Sequence, residues 1–293
     1  MKKGLYEEVT AKIVACLDKG VVPWRQTWGN YGAGGMPRNA ITNRAYSGAN
    51  VVLLWIGAQE KGYSAPLWLT YKQALEAGGN VRKGEKATQI VYLGHIVKDD
   101  DKSGQARQVP FLKSYAIFNL AQCEGLEHLQ SSAPKTINPS SRDDLADQFI
   151  QSTGANVRHG ESRAYYATKG DYINLPMFEA FNGMEEYYST AFHELTHWTG
   201  AEHRLNRNMG KRFGDDSYSA EELVAELGSA FLCAEFGFDN ETLENSAAYI
   251  DHWRKFLMNN ERAFMAAASA ASKATEFMRE LALRAEPVLI AAE

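Results

Sequence analysis

Cysteine is scarce: the 293 residues hold three, Cys16, Cys123 and Cys233, and no two form a C-x-x-C pair. Neither a disulfide framework nor a thiolate metal site is signalled, and the three read as small buried hydrophobes in a reducing compartment. No apolar run approaches the ~18 residues of a membrane span. The opening Met1-Lys2-Lys3-Gly4-Leu5-Tyr6-Glu7-Glu8 turns polar too early for the apolar stretch of a secretion signal. A soluble, cytoplasmic protein without a membrane partner is expected. Acidic density is lacking too: a net charge of −5 is too slight for a surface that imitates the phosphate array of duplex DNA. There is no internal repeat. The one biased stretch, the alanine-rich Ala263 to Ala274, favours a packed helix near the C-terminus.

The charge is unevenly spread. Residues 1–130 carry 16 Lys and Arg against 11 Asp and Glu, whereas residues 131–293 carry 15 against 25. A mildly basic half followed by an acidic one suggests two different units, the first suited to a polyanion. Between them CEGLEHLQSSAPKTINPSS, with two prolines, four serines and no apolar period, reads as a connector. The expected fold class is α+β in two domains, residues 1–125 and 142–293, joined by a linker at 126–141.

Apolar spacing predicts helices over Leu5 to Lys19, Asn50 to Gln59 and Thr70 to Ala77. Strands follow over Gln89 to Val97 and Phe111 to Asn119, around an exposed turn at Lys98 to Gly104. In the second half a helix is expected over Arg142 to Thr153, with Ser141 as its N-cap. Short strands over Asn156 to Arg158, Ala164 to Thr168 and Asp171 to Leu175 precede helices over Met184 to Thr199 and Ala220 to Phe236.

The helix over Met184 to Thr199 carries His193-Glu194-Leu195-Thr196-His197. Residues four apart share one helix face, so both imidazoles can reach a single metal ion, and Glu194 is placed to act as general base on a metal-bound water. A catalytic zinc takes three protein ligands and keeps a fourth position open. Gly200 and His203 stand at the spacing of a longer histidine motif, but Arg204-Leu205-Asn206-Arg207 follows with no methionine turn. A better third ligand lies in Glu221-Glu222-Leu223-Val224-Ala225-Glu226-Leu227. There Glu222 and Glu226 share one face of an apolar helix while Glu221 points elsewhere, and buried carboxylates need a partner. Glu222 is assigned as third ligand and Glu226 as the carboxylate that orients His193 or His197, with the reverse assignment left open. The expected ion is Zn2+, or another divalent metal such as Mn2+ or Co2+. His95, His128, His159 and His252 are isolated, and Tyr187, Tyr188 and Tyr218 read as packing rather than as hydroxyls for an oxyanion. Metal and base together point to a peptidase or amidase.

Four of the six tryptophans, Trp24, Trp28, Trp55 and Trp68, fall in the first 70 residues, near Arg25, Arg38, Arg44 and Lys72. Aromatic faces that stack on unpaired bases, beside cations that hold phosphates, suit a single-stranded nucleic acid. Trp55, inside the apolar run Val51 to Ile56, reads as core. The candidate DNA contacts are Trp24, Arg25, Trp28, Arg38, Arg44, Tyr46 and Lys72, with Arg82, Lys83 and Lys86 on a basic turn.

The runs GVVPWRQTW, PRNAITNRAYSGANVVLLW and WLTYKQALEAGGNVRKGEKAT resemble the N-terminal domain of the ArdC antirestriction family, a domain found also in plasmid primases of the TraC kind. AFHELTHWTGAEHRL and YSAEELVAEL are similar to that family's zincin-like metallopeptidase domain, in the same order. The resemblance implies a plasmid-borne protein whose first domain binds single-stranded DNA and which shields incoming DNA from restriction during conjugation. It leaves three mechanisms open: DNA binding with a metal-holding peptidase domain, a protease recruited to DNA that cuts restriction subunits or DNA-bound proteins, and a coat whose zincin is silent.

Overall fold

The computed structural model describes residues 4–25, 35–99, 106–129, 142–210, 215–239 and 247–285. The first half contains α1 (Leu5–Leu17), β1 (Arg38–Asn39), α2 (Ala49–Lys61), β2 (Leu67–Leu69), α3 (Tyr71–Glu76), β3 (Asn80–Val81), β4 (Thr88–Asp99), β5 (Ala106–Asn119) and β6 (Cys123–Glu124). One sheet has the order β1-β2-β5-β4, with β1 parallel to β2 and the other pairs antiparallel, and β3 pairs with β6 apart from it. The predicted hairpin is the long β4–β5 pair, in register from Thr88 opposite Ile117 to Asp99 opposite Ala106. Most of its turn lies outside the described residues.

Local chemistry explains these elements. α2 is buried from Val51 to Gly57 because nearly every residue in that run is apolar, and it stops at Gly62, whose φ of +69° suits a residue without a side chain. A Cβ at Gly57 would stand 2.9 Å from the Thr88 side chain, so glycine lets β4 lie directly against the helix. α3 is held by a capping box in which the Thr70 hydroxyl accepts from the Gln73 backbone and the Gln73 side chain accepts from the Thr70 backbone.

The second half contains α4 (Asp144–Ser152), β7 (Asn156–His159), β8 (Tyr165–Ala167), β9 (Tyr172–Leu175), α5 (Met184–Thr199), α6 (Asp216–Phe236), α7 (Ala247–Asn259) and α8 (Ala263–Ala285). Its sheet has the order β7-β9-β8. Asp143 caps α4 by accepting from the Ala146 N–H at 2.9 Å; the expected cap, Ser141, lies outside the described residues. α6 starts four residues before the apolar pattern does, because Asp215 accepts from the Tyr218 N–H at 2.7 Å and nucleates an extra turn.

The apolar core does not divide where the charge does. Ile13 and Leu17 of α1 and Val52 and Ile56 of α2 share one cluster with Leu223 and Phe231 of α6, Trp253 of α7 and Phe264 of α8. Polar ties cross the same junction: the Thr10 hydroxyl donates to the Glu261 carbonyl at 2.7 Å, and the Gly48 N–H to the Ser272 hydroxyl at 2.7 Å. α6 can serve both halves because it is apolar around most of its circumference, with its other side in a second cluster formed with Phe192 and Leu195 of α5 and Met278 of α8. Of the expected linker, Leu126 is buried in a small cluster with Leu69, Ala74, Val81 and Leu120; residues 130–141 lie outside the described residues. Among the described residues no helix is long and apolar enough to cross a membrane.

Candidate metal centre

Two glycines let the helices and the following loop close on the histidine motif. A Cβ at Gly228 of α6 would stand 2.5 Å from Thr196 Oγ1 on α5, so the two helices touch there. Their four-residue spacing on α5 places Nε2 of His193 and Nε2 of His197 3.2 Å apart, and the helix packing brings Glu222 of α6 to them. Glu222 Oε2 stands 3.5 Å from the first and Oε1 3.6 Å from the second. Three ligands at bonds of 2.0–2.2 Å to one tetrahedral ion stand about 3.4 Å apart. The donor set of two imidazoles and a carboxylate, all within 4.8 Å of one another, therefore fits one divalent ion and leaves a coordination position for water.

His197 is gripped from its other side. Its Nδ1–H donates to Glu221 Oε1 at 3.1 Å, which turns Nε2 toward the cluster. Glu221, 4% exposed, is in turn clamped by Arg207 at 2.8 and 2.9 Å. Arg207 also donates to the Thr196 carbonyl and the Thr199 hydroxyl. The loop doubles back to place this guanidinium because Gly200 leaves room: a Cβ there would stand 2.5 Å from Met209 Sδ and 2.9 Å from Arg207 Nη2. The expectation that Glu221 points elsewhere is thus corrected. Adjacent residues on α6 straddle the ring of His197, one at each nitrogen, which a face-by-face reading of the helix does not anticipate.

Electrostatics follow the geometry. Burial opposes charge on both histidines, but the hydrogen bond that His193 donates to Glu222 leaves it raised, and those that His197 donates to Glu221 and Glu222 hold it up to about 10. Burial likewise opposes the Glu222 charge, yet His193 and His197 bring it well below the usual carboxylate range. Glu194 is buried on α5, and its charge acts on His193, His197 and Tyr218. The Tyr218 phenol is pushed up by burial and by the charge and hydrogen bond of Glu222. Tyr218, which the sequence suggests as packing, stands one turn before Glu222 and so shares that residue's face of α6. Tyr187 and Tyr188 do pack: the hydroxyl of Tyr187 meets His159 at 3.0 Å and that of Tyr188 donates to Asp147 at 2.9 Å. His203 lies away from the cluster, 3.3 Å from Asp171.

Glu226 is a second correction. It orients neither histidine; its carboxylate takes the Arg25 guanidinium at 3.0 Å in a pair whose side chains are 10% and 6% exposed. Arg25 also lies 4.0 Å over the Tyr249 ring, so it neutralises a buried acid between the two halves instead of meeting a phosphate. Trp24 is 0% exposed between Trp253 and Phe264 and has no face for a base, because the chain turns inward after α1 to fill the shared core. Tyr46 is half-buried against that core. Arg38 is half-buried and donates to the Asn43 carbonyl. Arg82 is held by Glu85 and by the carbonyls of Ala121 and Cys123. Lys72 faces solvent beside Glu76, and Arg44, Lys83 and Lys86 are exposed. Trp28 lies outside the described residues.

A buried H-E-x-x-H helix facing a carboxylate-bearing helix, beside a small sheet, defines a zincin-like metallopeptidase domain, and residues 144–270 match the family model described as zincin-like metallopeptidase. Residues 3–118 match the N-terminal domain of anti-restriction factor ArdC. The chain belongs to the ArdC antirestriction family. It is 39% identical to the metal-free crystal structure of the antirestriction ArdC protein from plasmid R388, with a TM-score of 0.81 over 96% of this chain and 99% of that one. The Mn(II)-bound structure of that protein is 40% identical with a TM-score of 0.77, over 96% and 98%. An uncharacterised protein of Sinorhizobium fredii, y4eC, is 34% identical over 94% of this chain and 91% of its own length. A DNA primase TraC from Escherichia coli is 33% identical over 95% of this chain, which spans only 27% of that primase.

Proposed function

We propose that this protein binds single-stranded DNA and protects a conjugative plasmid from host restriction as it enters the recipient cytoplasm, with Zn2+, or alternatively Mn2+ or Co2+, held by His193, His197 and Glu222. The observation that carries the reading is the convergence of those three ligand atoms in a chain whose two domains follow the ArdC order. Such an ion, when bound, polarises a carbonyl oxygen and activates water near neutral pH.

The placement of Glu194 and Tyr218 favours a second reading, in which the domain is an active peptidase recruited to DNA and directed at restriction subunits or DNA-bound proteins. Glu194 takes a proton from the attacking water and returns it to the leaving amine, and the Tyr218 hydroxyl donates to the oxygen that gains charge. The test is Glu194→Gln in conjugation into a restricting recipient. Protection that survives with metal content intact supports the first reading. Protection lost, with metal and DNA binding kept, replaces it by the second.

A further inference from the structure

Trp24 and Arg25, two of the expected contacts, are internal, and an exposed aromatic surface lies elsewhere. On one face of the β4–β5 hairpin, Tyr92 is 53% and Tyr115 47% exposed. The Tyr92 ring centroid is 6.1 Å from those of both Tyr115 and Phe111, and Lys113 Nζ lies 5.0 Å from the Phe111 ring. Gly94 makes this possible: a Cβ there would stand 2.5 Å from Phe111 and 2.7 Å from Tyr92, so the two rings close over a glycine.

Tyr92 also borders a cavity of 710 Å³ between the start of α2, the edge strand β4 and the exposed side of α8. Its walls include Tyr6, Asn50, Arg207, Arg262 and Lys273, and among the described residues that line it none is acidic. In a chain of net charge −5, that is a local reversal of sign. Arg207 is committed to Glu221, which leaves Arg262, beside the Tyr6 ring at 5.2 Å, and the exposed Lys273 as the groove's cations. An added peptide strand does not fit, because the Asn50 side chain bonds both the N–H and the carbonyl of Val91 at 2.8 Å and so blocks that edge of β4.

We propose that this groove and the adjoining Tyr92–Phe111–Tyr115 face form the seat for single-stranded DNA, with bases stacked on the tyrosines and phosphates on Arg262 and Lys273. The proposal rests on the DNA-binding reading above and names its site. Loss of two phosphate contacts lowers the steepness of the salt dependence by about 1.4, at ~0.7 per contact for single strands. Loss of one stacking ring weakens binding about 5- to 150-fold.

The test is anisotropy with fluorescein-labelled oligo-dT of about 16 nucleotides, the upper end of the range for one binding fold, on the full chain. Arg262→Ala/Lys273→Ala is expected to bind roughly tenfold more weakly with a shallower salt slope. Tyr92→Ala is expected to bind more weakly with the slope unchanged. All three positions are surface ones, and unchanged thermal unfolding excludes a folding defect. If the parent chain binds the oligonucleotide and these variants bind equally well, the groove is overturned while the function stands. If Lys83→Ala/Lys86→Ala alone loses binding, the site moves to the turn after β3 and the groove is again overturned. If the parent does not bind, the functional reading itself falls. A duplex bound as tightly as the single strand also overturns the seat, since stacking needs unpaired bases.

Discussion

His197 donates its Nδ1–H to Glu221 at 3.1 Å while its Nε2 faces Glu222 at 3.6 Å, so two neighbouring carboxylates hold one ring from opposite sides. The first orients the ring, and in the proposed metal centre the second would share the ion. They therefore differ in what their loss does.

Glu222→Ala is expected to abolish stoichiometric metal binding, whereas Glu221→Gln keeps one ion per chain and weakens affinity about 10- to 100-fold. Competition against a chelator measures both. Equal effects would refute the division of roles.

Metal loading is expected to release a proton at neutral pH. His197 is raised from 6.5 to about 10 in the metal-free chain, against the pull of burial, by Glu221 and Glu222, and an ion needs the neutral ring. That protonation contributes stability that is fully present below pH 6.5 and lost as the pH rises through about 10. Metal affinity consequently falls as the pH drops from 10. Calorimetry in buffers of different ionisation enthalpy counts the proton directly.

Arg25→Met or Glu226→Leu alone is expected to cost about 3–5 kcal/mol, because each leaves a buried charge without its partner. The double variant recovers much of that. Urea unfolding of the four proteins forms the cycle, and additive losses would show that the pair is not coupled.

Trp24→Ala is expected to lower stability by about 3–5 kcal/mol through the cavity left between Trp253 and Phe264. The folded fraction should bind oligo-dT as the parent does. A specific loss of binding at unchanged stability would return Trp24 to the DNA surface.

Gly228→Ala is expected to cost about 1–3 kcal/mol by overpacking against Thr196, and to weaken metal binding because it separates α5 from α6. Retention of full metal affinity would show that the ligands tolerate the shift.

Features written in local spacing could be read directly from the chain. His193 and His197 lie four apart, so any helix puts them on one face, and Glu222 lies on the apolar helix that had to pack against it. Helices α1, α2, α5 and α6 and the β4–β5 hairpin were legible for the same reason, since apolar periodicity reports which side of an element is buried, whereas α7 gave no such signal. What that side is buried against depends on how the elements pack. Glu221 and Glu226 differ little as sequence, yet the crossing of α5 and α6 gives one to His197 and the approach of residues 22–25 gives the other to Arg25. Trp24 and Tyr92 are likewise both aromatics in a mildly basic half, but one fills a core shared by two domains and the other stands exposed over Gly94. Burial and partnership depend on residues some 200 positions apart in the chain, as for Arg25 and Glu226, and no periodicity carries that distance.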